Sequence, residues 1–118
     1  MTIERHAKGL RAEFWAGVYF HLKGYRILES RFKTPVGEID LILKRGRVIV
    51  FTEVKLRKKH DEAAEAIHGK NRARVSRAAE LYLQRHPEYT DYDARFDALV
   101  MTANGWPRHI QNAWAMGE

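Results

Sequence analysis

Gly37-Glu38-Ile39-Asp40-Leu41-Ile42 and Val50-Phe51-Thr52-Glu53-Val54-Lys55 decide how this chain is read. Both stretches have the composition of buried strands, and both carry charge where a sheet should be apolar. Asp40 stands between Ile39 and Leu41. Glu53 and Lys55 bracket Val54 at the end of the run Val48-Ile49-Val50-Phe51. Charge is costly to remove from water unless it is paired or holds a metal. Strand side chains alternate in direction, so Glu53 and Lys55 point the same way, with Cα atoms about 6.5–7 Å apart. Asp40 and Glu53 are separated by one hairpin and can meet on neighbouring strands. Two converging carboxylates raise each other's pKa unless a cation intervenes. A hard divalent cation satisfies both through oxygen ligands.

An acid followed by acid-x-lysine on the next strand is the pattern of a metal-dependent phosphodiesterase. The expected ion is Mg²⁺, with Mn²⁺ as a substitute, activating a water and stabilising charge on a phosphate. Lys55 would orient or deprotonate that water, or neutralise the phosphate in the transition state. For any one of the three residues, an ion pair at a sheet end is the ordinary explanation. The three together at this spacing favour a site.

Around this hairpin the periodicity predicts the remaining elements. Glu4 to Lys23 reads as an amphipathic helix with Leu10, Phe14, Val18 and Leu22 as its apolar stripe, stopped by Gly24. Arg26 to Phe32 reads as a strand, and Pro35-Val36-Gly37 as a turn. Glu38 to Lys44 and Arg47 to Leu56 are strands joined at Arg45-Gly46. Lys58 to Asp61 reads as a charged loop. A helical region from Glu62 to Arg85, interrupted near His68-Gly69, buries Val75, Ala79, Tyr82 and Leu83, and Pro87 marks its end. Arg95 to Thr102 and Arg108 to Trp114 are strands separated by a turn at Asn104-Gly105. The order α-β-β-β-α-β-β predicts an α/β fold, a central mixed five-stranded sheet flanked by helices, as one domain over 1–118.

Composition narrows the partners. Lys and Arg number 21 against 15 Asp and Glu, a net charge of +6 with pI ≈ 9.8, which points to nucleic acid first among polyanions. No apolar run approaches the ~20 residues of a membrane helix. The first residues lack the apolar core of a signal peptide. There are no cysteines, which removes disulfides and thiolate metal sites and is compatible with a cytoplasmic protein. The six histidines form no metal signature, and most are expected at the surface. Glycine-rich phosphate loops are absent, so no nucleotide cofactor is expected.

Two further sets surround the core motif. Glu13, beside the apolar stripe of the first helix, could reach the sheet end as a third metal ligand or water positioner. A solvated helix glutamate explains it equally well. Lys70, Arg74 and Arg77 share one helical face, with Arg72 among them and Arg57 and Lys58 just before the helical region. They could neutralise backbone phosphates. Taken alone, a solvated basic face is the simpler reading. Lys70 is the strongest single candidate. Asp97, again among apolar neighbours, reads as a supporting group and stands outside the catalytic set.

At these residues the chain resembles the YraN family of small bacterial proteins. The resemblance rests on Gly37-Glu38-Ile39-Asp40-Leu41-Ile42 and Phe51-Thr52-Glu53-Val54-Lys55-Leu56-Arg57. It extends to Gly9 with Glu13, Gly24-Tyr25-Arg26-Ile27-Leu28, Lys70 with Arg74, Tyr82-Leu83, Arg95-Phe96-Asp97 and Asn112-Ala113-Trp114. It implies the restriction-endonuclease-like fold, a PD-(D/E)xK nuclease site and similarity to Holliday-junction resolvases. Asp40 then matches the first motif acid, Glu53 the second, Lys55 the lysine, and Glu13 the helical glutamate of the resolvase-like branch. Ile39 stands where the motif proline would be.

Three functions follow as expectations. The first is a Mg²⁺-dependent endonuclease on branched or structured DNA, in which a homodimer would supply two symmetric cuts. The second is a nucleic-acid-binding module with the same fold and little turnover. The third is an assembly factor using Trp106 and Trp114, although core packing is the simpler role for both tryptophans.

Overall fold

The computed structural model describes residues 2–57, 71–102 and 106–114, with residues 2–11 and 71 described by backbone alone. Helix α1 (Thr2–Leu22) leads into three strands, β1 (Arg26–Thr34), β2 (Gly37–Arg45) and β3 (Val48–Leu56). Helix α2 (Asn71–Arg85), a short 3-10 turn (Pro87–Tyr89), β4 (Asp93–Met101) and β5 (Arg108–Trp114) follow. The five strands form one sheet in chain order. All neighbours are antiparallel except β3 and β4, which run parallel on either side of the α2 connection. The mixed α/β architecture and element order expected from sequence are therefore observed among the described residues. The loop at Lys58 to Asp61, the helical stretch before residue 71 and the turn at Asn104-Gly105 lie outside them. No helix among the described residues is long and apolar enough to cross a membrane.

Local chemistry fixes the element ends. Gly24, at φ 90, closes α1: its N–H bonds the His21 carbonyl, and the Tyr25 N–H bonds the Phe20 carbonyl at 2.9 Å. This is the six-to-one, five-to-two pattern of a glycine-terminated helix, and the Phe20 and Tyr25 rings pack edge to face across it. Gly46, at φ 59, occupies the first central position of the β2–β3 hairpin, where a side chain is disfavoured.

The helices cover opposite faces of the sheet. On one face Ala16 and Phe20 of α1 pack with Tyr25, Leu41, Leu43, Val50 and Leu99; on the other Val75, Ala78, Ala79 and Tyr82 of α2 meet Ile42, Ile49, Phe51, Phe96 and Trp114. Full burial of each Phe stabilises by about 1.5–3 kcal/mol. The expected stripe on α1 is corrected here. Phe14 and Leu22 are 64% and 80% exposed, Val18 is half-buried, and the buried face is Ala12, Ala16 and Phe20. Small side chains let the helix backbone lie close to the sheet, so the larger apolar residues do not mark the buried side. Trp114 is buried as expected, whereas Trp106 is 88% exposed.

Gly37 has a role other than the turn expected of it. The turn is closed by Thr34, whose Oγ1 accepts from the Val36 and Gly37 N–H groups and donates to the Gly37 carbonyl. Gly37 itself opens β2 directly under α2, and a Cβ there would stand 1.9 Å from the Arg74 carbonyl oxygen. Gly37→Ala is therefore expected to push α2 off the sheet and cost about 1–3 kcal/mol or more. Thermal melting checks this: an unchanged melting temperature would show that the helix yields without loss.

Candidate active site

The site lies where β2 and β3 part. Their pairing runs from the hairpin to Leu41 opposite Thr52, and Asp40 and Glu53 are the next residue on each strand. Asp40 does not continue the ladder. Its Oδ2 accepts the Val54 N–H at 2.8 Å, capping a backbone donor across the gap.

A reversal in β1 and β2 brings Asp40 there. Leu41 packs under α1, but Ile39, two residues away, packs under α2. On β1, Ser30 lies with Leu41 beside α1, while Phe32 packs against the α2 core. Residues two apart on a regular strand share a face. Both strands thus turn over at one register position, because Ser30 still pairs with Leu41 and Phe32 with Ile39. The residues between are Arg31, at φ 54, and Asp40. The reversal leaves Asp40 committed to neither core.

Glu53 and Lys55 share a side of β3, as expected from alternation, with Lys55 Nζ 2.7 Å from Glu53 Oε1 and both side chains mostly buried. Glu13 arrives from α1, its Oε2 3.6 Å from Arg31 Nε. Burial pushes the Asp40 carboxyl up to about 6; the Val54 hydrogen bond opposes this, Glu13 and Glu53 add to it, and Lys55 opposes it weakly. Two of the three acidic candidates are thus close enough to Asp40 to disfavour its charge. A cleft of about 60 Å³ opens beside Asp40, lined by Glu38, Thr52, Glu53, Arg74 and Val75. The buried Thr52 hydroxyl, on its wall, has no hydrogen-bond partner among the described residues.

The donor chemistry fits a hard divalent cation, because it offers carboxylate oxygens and, among the described residues, neither thiolate nor imidazole. No three acidic or histidine side chains among the described residues stand together as a ready-made metal cluster. Glu53 and Glu13 instead face Lys55 and Arg31. Asp40 and Glu53 are the residues that would hold the ion, and Glu13 would join them by leaving Arg31.

Of the basic candidates, Arg74 lines the cleft and Arg77 is exposed one turn further along α2. Arg57 follows the end of β3, its N–H bonded to the Met101 carbonyl and its guanidinium to the Leu56 carbonyl. Lys70 and Lys58 lie outside the described residues. Arg31 escaped sequence reasoning, because no glycine or asparagine marks its left-handed backbone.

Asp97 is a structural centre on the α1 side of the sheet. Its fully buried carboxylate accepts from Arg95 Nε at 2.8 Å, Arg95 Nη2 at 2.9 Å, His109 Nε2 at 2.6 Å and the Asn112 N–H at 3.0 Å. Burial opposes its charge, but His109, Arg95 and Asn112 together hold its pKa below the ordinary value. Arg95 also donates to the Tyr25 hydroxyl, and the His109 ring is packed edge-on against Phe20, Tyr19 and Tyr25. His109 is therefore an interior residue, in contrast to the surface position expected of most histidines.

The profile described as "Uncharacterised protein family UPF0102" matches residues 12–101, which contain Glu13, Asp40, Glu53 and Lys55. A UPF0102 protein of Parvibaculum lavamentivorans is 47% identical over 90% of this chain and 80% of its own length. One from Methylorubrum extorquens is 50% identical over 92% and 85%. One from Nitrobacter winogradskyi is 41% identical over 97% of both chains. With the profile covering most of the chain and relatives this similar along most of their length, the chain belongs to the UPF0102 family, the YraN family that its motifs resemble.

Proposed function

We propose that this protein is a metal-dependent endonuclease of the restriction-endonuclease-like fold, hydrolysing phosphodiester bonds in branched or structured DNA. The observation that carries the reading is the group of Asp40, Glu53 and Lys55 at the parting of β2 and β3, with Asp40 mostly buried and close to the carboxylates of Glu13 and Glu53. The α-β-β-β-α-β-β order and the mixed sheet support the fold assignment. A bound Mg²⁺, or Mn²⁺ in its place, would supply an activated water and positive charge against the phosphate oxygens.

The chain's own groups do the rest. Asp40 is held in place by the Val54 N–H and presents its remaining oxygen to the cleft. Lys55, beside Glu53, orients the attacking water and offsets charge building on the phosphate. Arg74, on the cleft wall, and Arg77 meet phosphates of the flanking duplex, with Arg57 at the end of β3. Water attacks phosphorus in line as the P–O3′ bond breaks, leaving a 5′-phosphate and a 3′-hydroxyl. A two-fold dimer would present two such sites to a four-way junction.

The pairing of Glu53 with Lys55 and of Glu13 with Arg31 favours one second reading, a DNA-binding module with little turnover, since both acids are partnered without an ion. End-labelled linear duplex, flap and four-way junction DNA, incubated with Mg²⁺ or Mn²⁺, separates the two. Metal-dependent cuts that vanish in Lys55→Ala support the nuclease. Salt-sensitive binding without cleavage, unchanged in Asp40→Ala, supports the binding module.

A further inference from the structure

The Glu13–Arg31 contact carries more than fold stability explains. Arg31 is held at φ 54, where a side chain meets steric opposition, at the register position facing Asp40. Strain of this kind persists only where the surroundings enforce it, and it concentrates at functional sites. The contact itself is a poor return for that strain. Nε and Oε2 are 3.6 Å apart and the Arg31 side chain is 35% exposed, the regime in which ion pairs stabilise little. The backbone reversal does place a guanidinium beside Glu13, a carboxylate near enough to Asp40 to disfavour its charge, while Lys55 is engaged by Glu53 at 2.7 Å.

A phosphodiester bound beside Asp40 brings further negative charge, and the planar fork of arginine matches two phosphate oxygens. Building on the nuclease reading, we propose that Arg31 is a phosphate-binding residue of the site, which exchanges Glu13 for the non-bridging oxygens of a nucleic-acid phosphate as Glu13 turns to the cation. In the free protein Arg31 shields Glu13; in the complex it neutralises the strand.

Loss of Arg31 then has two effects of opposite sign. Cation binding tightens, because a positive neighbour has left the carboxylates. DNA binding weakens, because a phosphate contact has gone. Arg31→Gly is the informative variant, since glycine adopts a positive φ freely and the fold is spared. Arg31→Lys keeps the charge without the fork and should fall between. Mn²⁺ affinity is read by electron paramagnetic resonance without nucleic acid. Binding of a four-way junction is read in Ca²⁺ across a salt series.

Arg31→Gly is expected to melt at or above the wild-type temperature and to bind Mn²⁺ up to about fivefold more tightly. The slope of log affinity against log salt should fall by about 1. Wild-type DNA affinity and salt slope in Arg31→Gly would overturn the proposal and leave the nuclease reading standing. A melting temperature well below wild type would make Arg31 a fold residue and also overturn it. If the wild type itself takes up neither Mn²⁺ nor DNA, the nuclease reading falls and this inference with it.

Discussion

Asp40→Asn is expected to melt higher than the wild type in metal-free buffer at pH 8 while losing cleavage. The folded protein holds the Asp40 proton up to about 6, against an ordinary 3.8, so its affinity for that proton exceeds the unfolded chain's. The stability tied to this proton is complete below the ordinary value. It is lost as pH rises through about 6, where the buried carboxylate must ionise beside Glu13 and Glu53. Asparagine keeps an acceptor for the Val54 N–H and removes the charge. The gain above pH 6 should be about 1–3 kcal/mol, at 1.36 kcal/mol for each unit of pKa. The gap between the two proteins should close as pH falls through the window between these values. Added Mg²⁺ should raise the melting temperature of the wild type alone. Cleavage should drop by about 10²–10³-fold or more, the scale on which a group serving the transition state is missed. A variant that melts lower than wild type at pH 8 would show that the Asp40 carboxylate is compensated in the metal-free fold.

The second large effect is expected at Asp97, away from the chemistry. Asp97→Ala removes the acceptor for Arg95, His109 and the Asn112 N–H together, leaving interior donors and a cationic guanidinium unpaired. Breaking such a buried pair costs about 3–5 kcal/mol. For a chain of this size the melting temperature should fall by about 15 °C or more. The network joins β4 to β5 and to Tyr25 at the end of α1, so β5 should lose protection in hydrogen exchange first. Because the folded pKa of Asp97 lies below its ordinary value, its contribution is present above about pH 4 and is lost as pH falls below it. Asp97→Asn should lack that acid-sensitive step. A melting curve for Asp97→Ala that matches the wild type would refute the assignment.

These two aspartates mark what sequence could reveal. Each stands among apolar residues in a strand, and that mismatch is visible without a structure. Sequence reading set Asp97 apart as a supporting group, as its four hydrogen bonds bear out, but the partners themselves, Arg95, His109 and the Asn112 N–H, were not legible, nor was the cleft that Asp40 meets beside other acids. The strands themselves were legible, because runs such as Val48-Ile49-Val50-Phe51 and the glycine at 46 specify extended chain and turn. The buried face of α1 was not, because Ala12 and Ala16 pack closest to the sheet while Phe14 and Leu22 face outward. Gly37 read as a turn residue, yet its requirement is the Arg74 carbonyl of a helix far along the chain. Arg31 left no signal at all, since its backbone is imposed by the paired reversal of β1 and β2 rather than by its own preference. Lys70, prominent in the sequence, lies outside the described residues, and its part in the basic face rests on helical spacing with Arg74 and Arg77.

If Asp40 and Glu53 form a divalent cation site, as proposed, Mn²⁺ binding across pH reports it. Titration of the metal-free protein, followed by electron paramagnetic resonance at pH 5 and pH 8, needs neither a substrate nor knowledge of one. Uptake is expected at pH 8, weakening as pH drops through about 6, where Asp40 takes up its proton, and lost in Asp40→Asn. Absence of Mn²⁺ uptake by the folded wild type at pH 8, or equal uptake by Asp40→Asn, would contradict it.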